Sequence, residues 1–336
     1  MAIDGTVRVG IYGTGRFANR THIPNLQKLD QVDVVAVCDV NEEALAETAN
    51  AFDISQRYTD AYEMLERANL DVLYSVVPGY VRTDVEIKAV EKGIHLFSEK
   101  PQTTQMAVAR AIDEAVEKAG VLNTVGFRER YRPLFQEAKR LLSDRDIVHA
   151  HFHRAAGRWG GRVGSGDHWQ HDFDKHGGMA FDWGVHALDY IRFMTGLNAV
   201  RAQAFYDMRD GFARSCSFNF QMDKGATAAM TFITAEGTGG NNRPWFTFYF
   251  DGGYLETYGY DRIEMNGEVV FKGEGFDPWF EQTRVFIDAV KTGDGSAVLN
   301  DYHDGLFSLG PILAGWQSSR REGELIDVSG FMKEEA

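Results

Sequence analysis

Three clusters of residues carry types and spacings that can do chemistry. The first is Gly13-Thr14-Gly15-Arg16-Phe17-Ala18, which reads G-x-G-x-x-A after an apolar run and at the opening of a helical pattern. There the first glycine makes a tight turn and the second lets backbone approach a pyrophosphate at the positive end of a helix. The small last residue packs helix on strand. Asp39 closes the second apolar run, where a carboxylate accepts hydrogen bonds from both hydroxyls of an adenosine ribose. It repels a 2′-phosphate, and no Arg or Lys stands beside it, so NAD is expected over NADP. The second cluster, Glu99-Lys100-Pro101, falls at the end of the apolar run Ile94–Ser98. Ligands bind outside such strand ends in open α/β sheets, which points Lys100 into a crevice or, more blandly, onto a solvated surface. The third cluster runs from Gly177 to Asp189. On a helix, Asp182 and His186 lie four apart on one face, with Asp189 one turn beyond His186. Such a pair can be a general base with its carboxylate, a metal site or a helix-face ion pair, and spacing leaves all three open.

The elements that must hold these clusters follow from hydrophobic pattern. Val7–Tyr12, Val32–Cys38, Val72–Val77, Ile94–Ser98 and Val121–Gly126 are expected as buried strands. Helical patterns over Asn41–Phe52, Arg82–Lys92 and Ala107–Lys118 lie between them. Asn41 and Thr83 are expected at or near N-caps, and Gly93 and Gly120 at helix ends. Alternating strand and helix implies right-handed crossovers and a doubly wound parallel sheet. After residue 127 strands come in a row: His149–Ala155, Ala199–Tyr206, Ser215–Met222, Thr227–Thr234, Phe246–Phe250 and Val269–Lys272. Gly252-Gly253 and Asn266-Gly267 are hairpin signals, so a large, mostly antiparallel or mixed sheet is expected. Two helices are expected there, over Met179–Thr195 and about 304–321, with a polar loop over Gly237–Asn242. The reading is α/β: a Rossmann domain over 1–126 and an α+β domain over 127–336.

These three segments together resemble the Gfo/Idh/MocA family of NAD(P)-dependent oxidoreductases, whose members act mainly on sugars, cyclitols and related polyols. The resemblance runs over nearly the whole chain and is densest in residues 7–101 and 176–196. It implies that Lys100, Asp182 and His186 surround the reactive carbon and the nicotinamide. It also implies a cofactor set of Gly13, Thr14, Gly15, Arg16, Phe17, Asp39, Val77, Pro78, Glu99, Lys100 and Arg128. In related enzymes aromatic residues line the sugar pocket, a role expected here of Trp159 and Trp169 beside Arg158 and Arg162, unless those rings are core or interface. The chain departs from the family pattern in places. Where Thr-Pro-Asn-x-x-His is common, it reads Val77-Pro78-Gly79-Tyr80-Val81-Arg82, so an amide is lost at Gly79 and an arginine replaces an imidazole at Arg82. Met179 stands where a third glycine is usual.

Composition bounds the partners. The 336 residues carry 35 Lys and Arg against 49 Asp and Glu, a net charge of −14 that argues against nucleic acid or an anionic membrane. The longest uncharged stretch, Gly305 to Ser319, is shorter than a bilayer-spanning helix, and a soluble, cytoplasmic protein is expected. The two cysteines, Cys38 and Cys216, fit a reducing compartment. Asp167, His168, His171, Asp172, Asp174 and His176 crowd together without a standard zinc spacing, and no metal is expected. His149, His151 and His153 alternate on one strand face, as on a polar sheet surface.

The expected reaction is hydride transfer between a secondary alcohol and NAD. His186 takes the hydroxyl proton beside Asp182, and Lys100 holds the reacting oxygen. Two alternatives stay open: a redox-neutral glycosidase or lyase that oxidises its sugar transiently, and a dinucleotide-binding regulator without turnover. A homodimer or homotetramer through the C-terminal sheet is what the resemblance implies.

Overall fold

The computed structural model describes residues 3–156, 173–176, 178–209, 212–234 and 243–334. The chain divides into two compact units. The first comprises residues 1–131 and 277–305, the second 132–276 and 306–336. The return of 277–305 to the first unit is not contained in a single division at 126/127.

In the first unit, β1 (Val7–Tyr12), β2 (Val32–Cys38), β3 (Gln56–Tyr58), β4 (Val72–Ser75), β5 (His95–Ser98) and β6 (Asn123–Val125) form one parallel sheet in the order β3-β2-β1-β4-β5-β6. This is the doubly wound order, with its switch point between β1 and β4. The strands are apolar on both faces because helices cover both: Val9, Leu73, Tyr74 and Leu96 are fully buried. The crossovers are a helical segment, Ala18–His22 running into Ile23–Leu26 (α1), then α2 (Glu42–Ala51), α3 (Ala61–Arg67), α4 (Val85–Glu91) and α5 (Met106–Ala119). Asn41 caps α2 as expected, its side chain accepting from Glu43 N and Ala44 N. The cap of α4 is Asp84 rather than Thr83, and Asp84 makes no capping bond.

The second unit holds α6 (Pro133–Leu142), β7 (Ile147–Ala156), α7 (Phe173–His176), α8 (Gly178–Thr195), β8 (Ala199–Arg209), β9 (Phe212–Met222), β10 (Thr227–Thr234), β11 (Phe246–Phe250), β12 (Gly253–Tyr258), β13 (Arg262–Met265) and β14 (Glu268–Lys272). With β15 (Ile326–Asp327) the strands make a nine-stranded sheet in the order β14-β13-β12-β11-β7-β10-β9-β8-β15. It is mixed: β7 and β10 run parallel, and the other pairs are antiparallel. Helix α8 packs across β7, β9 and β10. Its face of the sheet carries the buried Ala150, Phe152, Phe218, Met230 and Phe248. Period-2 alternation sends His149, His151 and His153 to the opposite face, their ring centroids 6.5 and 6.2 Å apart, and burial lowers the pKa of each. The expected loop over Gly237–Asn242 lies outside the described residues.

Two helices follow, α9 (Pro278–Thr292) and α10 (Tyr302–Ser319), then α11 (Val328–Lys333). The sequence pattern did not reveal α9. Its opening, Pro278-Trp279-Phe280, has the bulk of a strand, yet Asp277 caps it by accepting from Trp279 N and Phe280 N. The helix buries Phe286, Ile287 and Val290 in the same cluster as Val7, Val9, Ile11, Val72 and Phe97. Among the described residues no helix is long and apolar enough to cross a membrane. Replacing Phe286, fully buried in that cluster, by alanine is expected to cost about 3–5 kcal/mol in denaturant unfolding. A loss under about 1 kcal/mol would mean that α9 is not part of this core.

Candidate functional site

The cofactor end of the first unit is built on one close approach. After Tyr12 the chain turns at Gly13 with φ of +100°, and a Cβ there would sit 2.9 Å from Val77 Cγ1 and 3.0 Å from the Val76 carbonyl carbon. Only glycine combines that dihedral with that gap. Gly13 N donates to Cys38 O at 2.8 Å, and Val76 N donates to Tyr12 O at 2.8 Å, so the ends of β1, β2 and β4 close together. Gly15 is the reverse case: a Cβ there would have no atom within 4 Å, and Gly15, Arg16 and Phe17 are exposed. That is the open backbone surface a pyrophosphate requires at the start of a helix.

Asp39 is half-buried at the end of β2. Its Oδ2 accepts from Thr14 N at 2.8 Å and Thr14 Oγ1 at 3.1 Å, and its Oδ1 from Asn41 N at 2.9 Å. The carboxylate is thus fixed on the glycine turn, with acceptor capacity remaining out of about four lone-pair sites. The residues present fit a dinucleotide. Next to Asp39, burial first and then the Asp39 charge push the Cys38 thiol up to about 12, which keeps it a neutral core group rather than a nucleophile.

At the end of β5 the Glu99 side chain is buried and tied on both oxygens. Its Oε1 is 2.9 Å from His22 Nε2, and its Oε2 accepts from Lys100 N at 3.1 Å. The His22 ring meets Phe17, Tyr74 and Phe97 edge-on, and Tyr74 stacks on Phe97 at 4.3 Å. The half-buried Lys100 follows directly, across a cis bond to Pro101. Val77 and Pro78 are half-buried. Arg82, which stands where the family pattern has an imidazole, is turned inward and buried. It donates to Ser98 Oγ, and to the Glu99, Ser75 and Val77 carbonyls at 2.6, 3.3 and 3.3 Å. Arg128 is also buried, its guanidinium 4.3 Å over the Trp279 ring and its Nε 3.3 Å from Glu129 Oε1.

In the second unit, α8 presents His186 and Asp182 one turn apart, as spacing predicts. His186 is buried, and its Nδ1 shares a hydrogen bond of 3.1 Å with Tyr190 Oη, the two rings stacked at 5.5 Å. Asp182 is half-buried and interacts electrostatically with Arg154, whose guanidinium lies 3.7 Å over the Trp183 ring. Asp189 lies one turn past His186 on α8. It is fully buried, accepts from Ser308 Oγ at 3.0 Å and lies 3.8 Å from Arg192. Trp159, Trp169, Arg158, Arg162, Asp167, His168, His171 and Asp172 lie outside the described residues. Among the described residues no group of three or more His, Cys, Asp or Glu is placed to hold a metal.

Sequence reasoning missed His22, Arg154 and Tyr190. Tyr190 was signalled by its i+4 spacing from His186. Arg154 was signalled by alternation, since it falls on the opposite face of β7 from the three histidines. His22 had only its spacing of four from Ala18.

A parallel six-stranded sheet with a glycine turn at its switch point and a carboxylate closing β2 defines a dinucleotide-binding Rossmann protein. The family model described as "Oxidoreductase family, NAD-binding Rossmann fold" matches residues 7–127, and the "GFO/IDH/MocA C-terminal domain" matches residues 135–256. The chain belongs to the Gfo/Idh/MocA family. It is 30% identical over 196 residues to scyllo-inositol 2-dehydrogenase (NAD(+)) of Bacillus subtilis, covering 58% of this chain and 55% of that one. It is 25% identical over 301 residues to D-xylose 1-dehydrogenase (NADP(+)) 2 of Haloferax volcanii, covering 85% and 89%. The match spans about half the length of the Bacillus subtilis protein and of other curated relatives. A crystal structure of scyllo-inositol dehydrogenase from Lactobacillus casei, with bound NAD(H) and scyllo-inositol, shares the fold with a TM-score of 0.78. It is 18% identical and covers 96% of this chain and 99% of that one.

Strain at a non-glycine residue with positive φ costs about 1–3 kcal/mol. With the clash against Val76 added, Gly13→Ala is expected to weaken NAD binding by about tenfold or more in a calorimetric titration. Unchanged affinity would remove Gly13 from the cofactor turn.

Proposed function

We propose that the chain is an NAD-dependent dehydrogenase acting on a secondary alcohol of a sugar, cyclitol or related polyol. The observation that carries this reading is the Asp39 carboxylate, held on the glycine turn by Thr14 N and Oγ1. With it, Gly13, Thr14, Gly15, Arg16, Phe17, Val77, Pro78, Glu99, Lys100 and Arg128 make up the proposed cofactor set. NAD over NADP follows from the acid at Asp39; relatives are named for each dinucleotide.

Bound NAD supplies the hydride acceptor. Lys100, as an ammonium, donates to the reacting oxygen and stabilises the negative charge that develops there. The Tyr190 hydrogen bond orients the His186 ring through Nδ1, and Nε2 takes the hydroxyl proton. Asp182, beside Arg154, accepts from a neighbouring hydroxyl. Trp159 and Trp169 offer ring faces to the C–H faces of the polyol. The names of the Bacillus subtilis and Lactobacillus casei proteins support inositols as the first substrates to try. A homodimer or homotetramer through the nine-stranded C-terminal sheet, and a cytoplasmic setting for the two buried free thiols Cys38 and Cys216, complete the reading.

The test is the absorbance of reduced nicotinamide while the protein meets NAD, then NADP, with a panel of inositols, aldoses and glycosides. A rise with NAD and one polyol class is expected. Cleavage of a glycoside without net NADH would replace this reading by the redox-neutral one. Lys100→Met and His186→Gln are each expected to lower kcat by about 10²–10⁴-fold with NAD binding kept, and near-normal turnover in both would sink the assignment. Asp39→Ser is expected to raise KM for NAD by about tenfold and to narrow its lead over NADP in the same assay.

A further inference from the structure

The departures at Gly79 and Arg82 meet around Lys100. We infer that the loop after β4 is a clamp on the loop after β5, and that Arg82 and Gly79 are positioning residues for Lys100. This rests on the dehydrogenase reading, which places Lys100 at the reacting oxygen.

The residues on both sides of Lys100 are held by the segment from 79 to 82. Before it, Glu99 offers its carbonyl to Arg82 Nη2 at 2.6 Å. The same guanidinium binds Ser98 Oγ and the carbonyls of Ser75 and Val77, so one planar fork ties the end of β4 to the end of β5. After it, Pro101 and Thr103 lie against Gly79. A Cβ on Gly79 would be 3.1 Å from Pro101 O and 3.3 Å from Thr103 Cα, so an asparagine there would press on the loop that carries Lys100. The glycine and the arginine answer each other: one lets the two loops touch, and the other locks them.

The clamp is buffered from solvent. The side chains of Arg82 and Glu86 are fully buried, 3.6 Å apart, and Ser75 Oγ donates to Glu86 Oε1 at 2.6 Å. On the other flank His22 holds the Glu99 carboxylate, and Gly126 closes over it, since a Cβ there would fall 2.7 Å from Glu99 Oε1. Glu99 is thereby fixed at its carbonyl and at both carboxylate oxygens, the second of them by the next amide. The Lys100 backbone inherits that rigidity, which an ammonium on four rotatable bonds needs if it is to stay on a reacting oxygen.

The experiment compares the NAD-loaded wild type with Arg82→Lys, with the double variant Arg82→Gln/Glu86→Gln, and with Gly79→Ala. The lysine keeps the charge but cannot reach Ser98 Oγ and three carbonyls at once. The double variant leaves no unpaired charge buried, and Gly79→Ala touches no charge. Two quantities are read: kcat against KM and NAD affinity, and the NMR titration of reductively ¹³C-methylated Lys100, identified by its loss in Lys100→Gln. The expected result is kcat lower by about 10–10²-fold with NAD affinity within about twofold, and a moved Lys100 resonance in every folded variant. An unmoved resonance overturns the clamp, whatever happens to turnover. A fall in kcat that only follows losses of melting temperature and NAD affinity also overturns it, leaving Arg82 as a staple of the sheet. A moved resonance in a protein that oxidises no polyol keeps the clamp and removes the dehydrogenase reading instead.

Discussion

The cofactor end of the first unit depends on how near the turn at Gly13 comes to the backbone of Val76. Three strands of a parallel sheet end there, and each would leave its last amides and carbonyls to solvent. The bonds from Gly13 N to Cys38 O and from Val76 N to Tyr12 O pair those groups across β1, β2 and β4. The register that results sets Thr14 against Asp39. Move the turn outward by one methyl group and the carboxylate, the glycine cradle and the loop after β4 lose their common reference.

The same economy governs charge inside the protein. Glu99, Glu86 and Asp189 are buried carboxylates, each joined to an imidazole, a guanidinium or a hydroxyl: His22 for Glu99, Arg82 and Ser75 for Glu86, Ser308 and Arg192 for Asp189. A carboxylate left without such a partner would cost several kcal/mol, roughly the margin by which a domain is stable. These pairs therefore bind elements together only as complete sets. The half-buried Asp182 is less enclosed, and it stands on the helix face that also carries His186.

Much of the first sheet was legible because its signals are local. β1 and β2 appear at the residues where continuous apolar runs place them, and Asn41 caps α2 because an amide before an acidic first turn has one good use. The one-turn spacing of Asp182 and His186 was equally plain. What stayed hidden was settled by distant partners. Nothing beside Arg82 in sequence says that its fork will find Ser98 and Glu99, because those acceptors exist only once β4 and β5 lie side by side. Thr83, expected at or near a cap, is the residue just before the N-cap Asp84. Nothing beside Asp189 in sequence shows its bond from Ser308, 119 residues on. Helix α9 opens with aromatic residues whose bulk also suits a strand, and its membership of the first core is a fact about packing alone.

That membership has a consequence for the order of events during synthesis. A ribosome releases the chain from its N-terminus, and nascent domains ordinarily fold as soon as they emerge. Here the first sheet is finished at Val125, but Phe286, Ile287 and Val290 are not yet made. Until they arrive, the apolar surface they will cover on Val7, Val9 and Val72 stays open. The entire second sheet except β15 is translated in the interval. The unit that begins the chain is thus among the last parts of the protein to be completed.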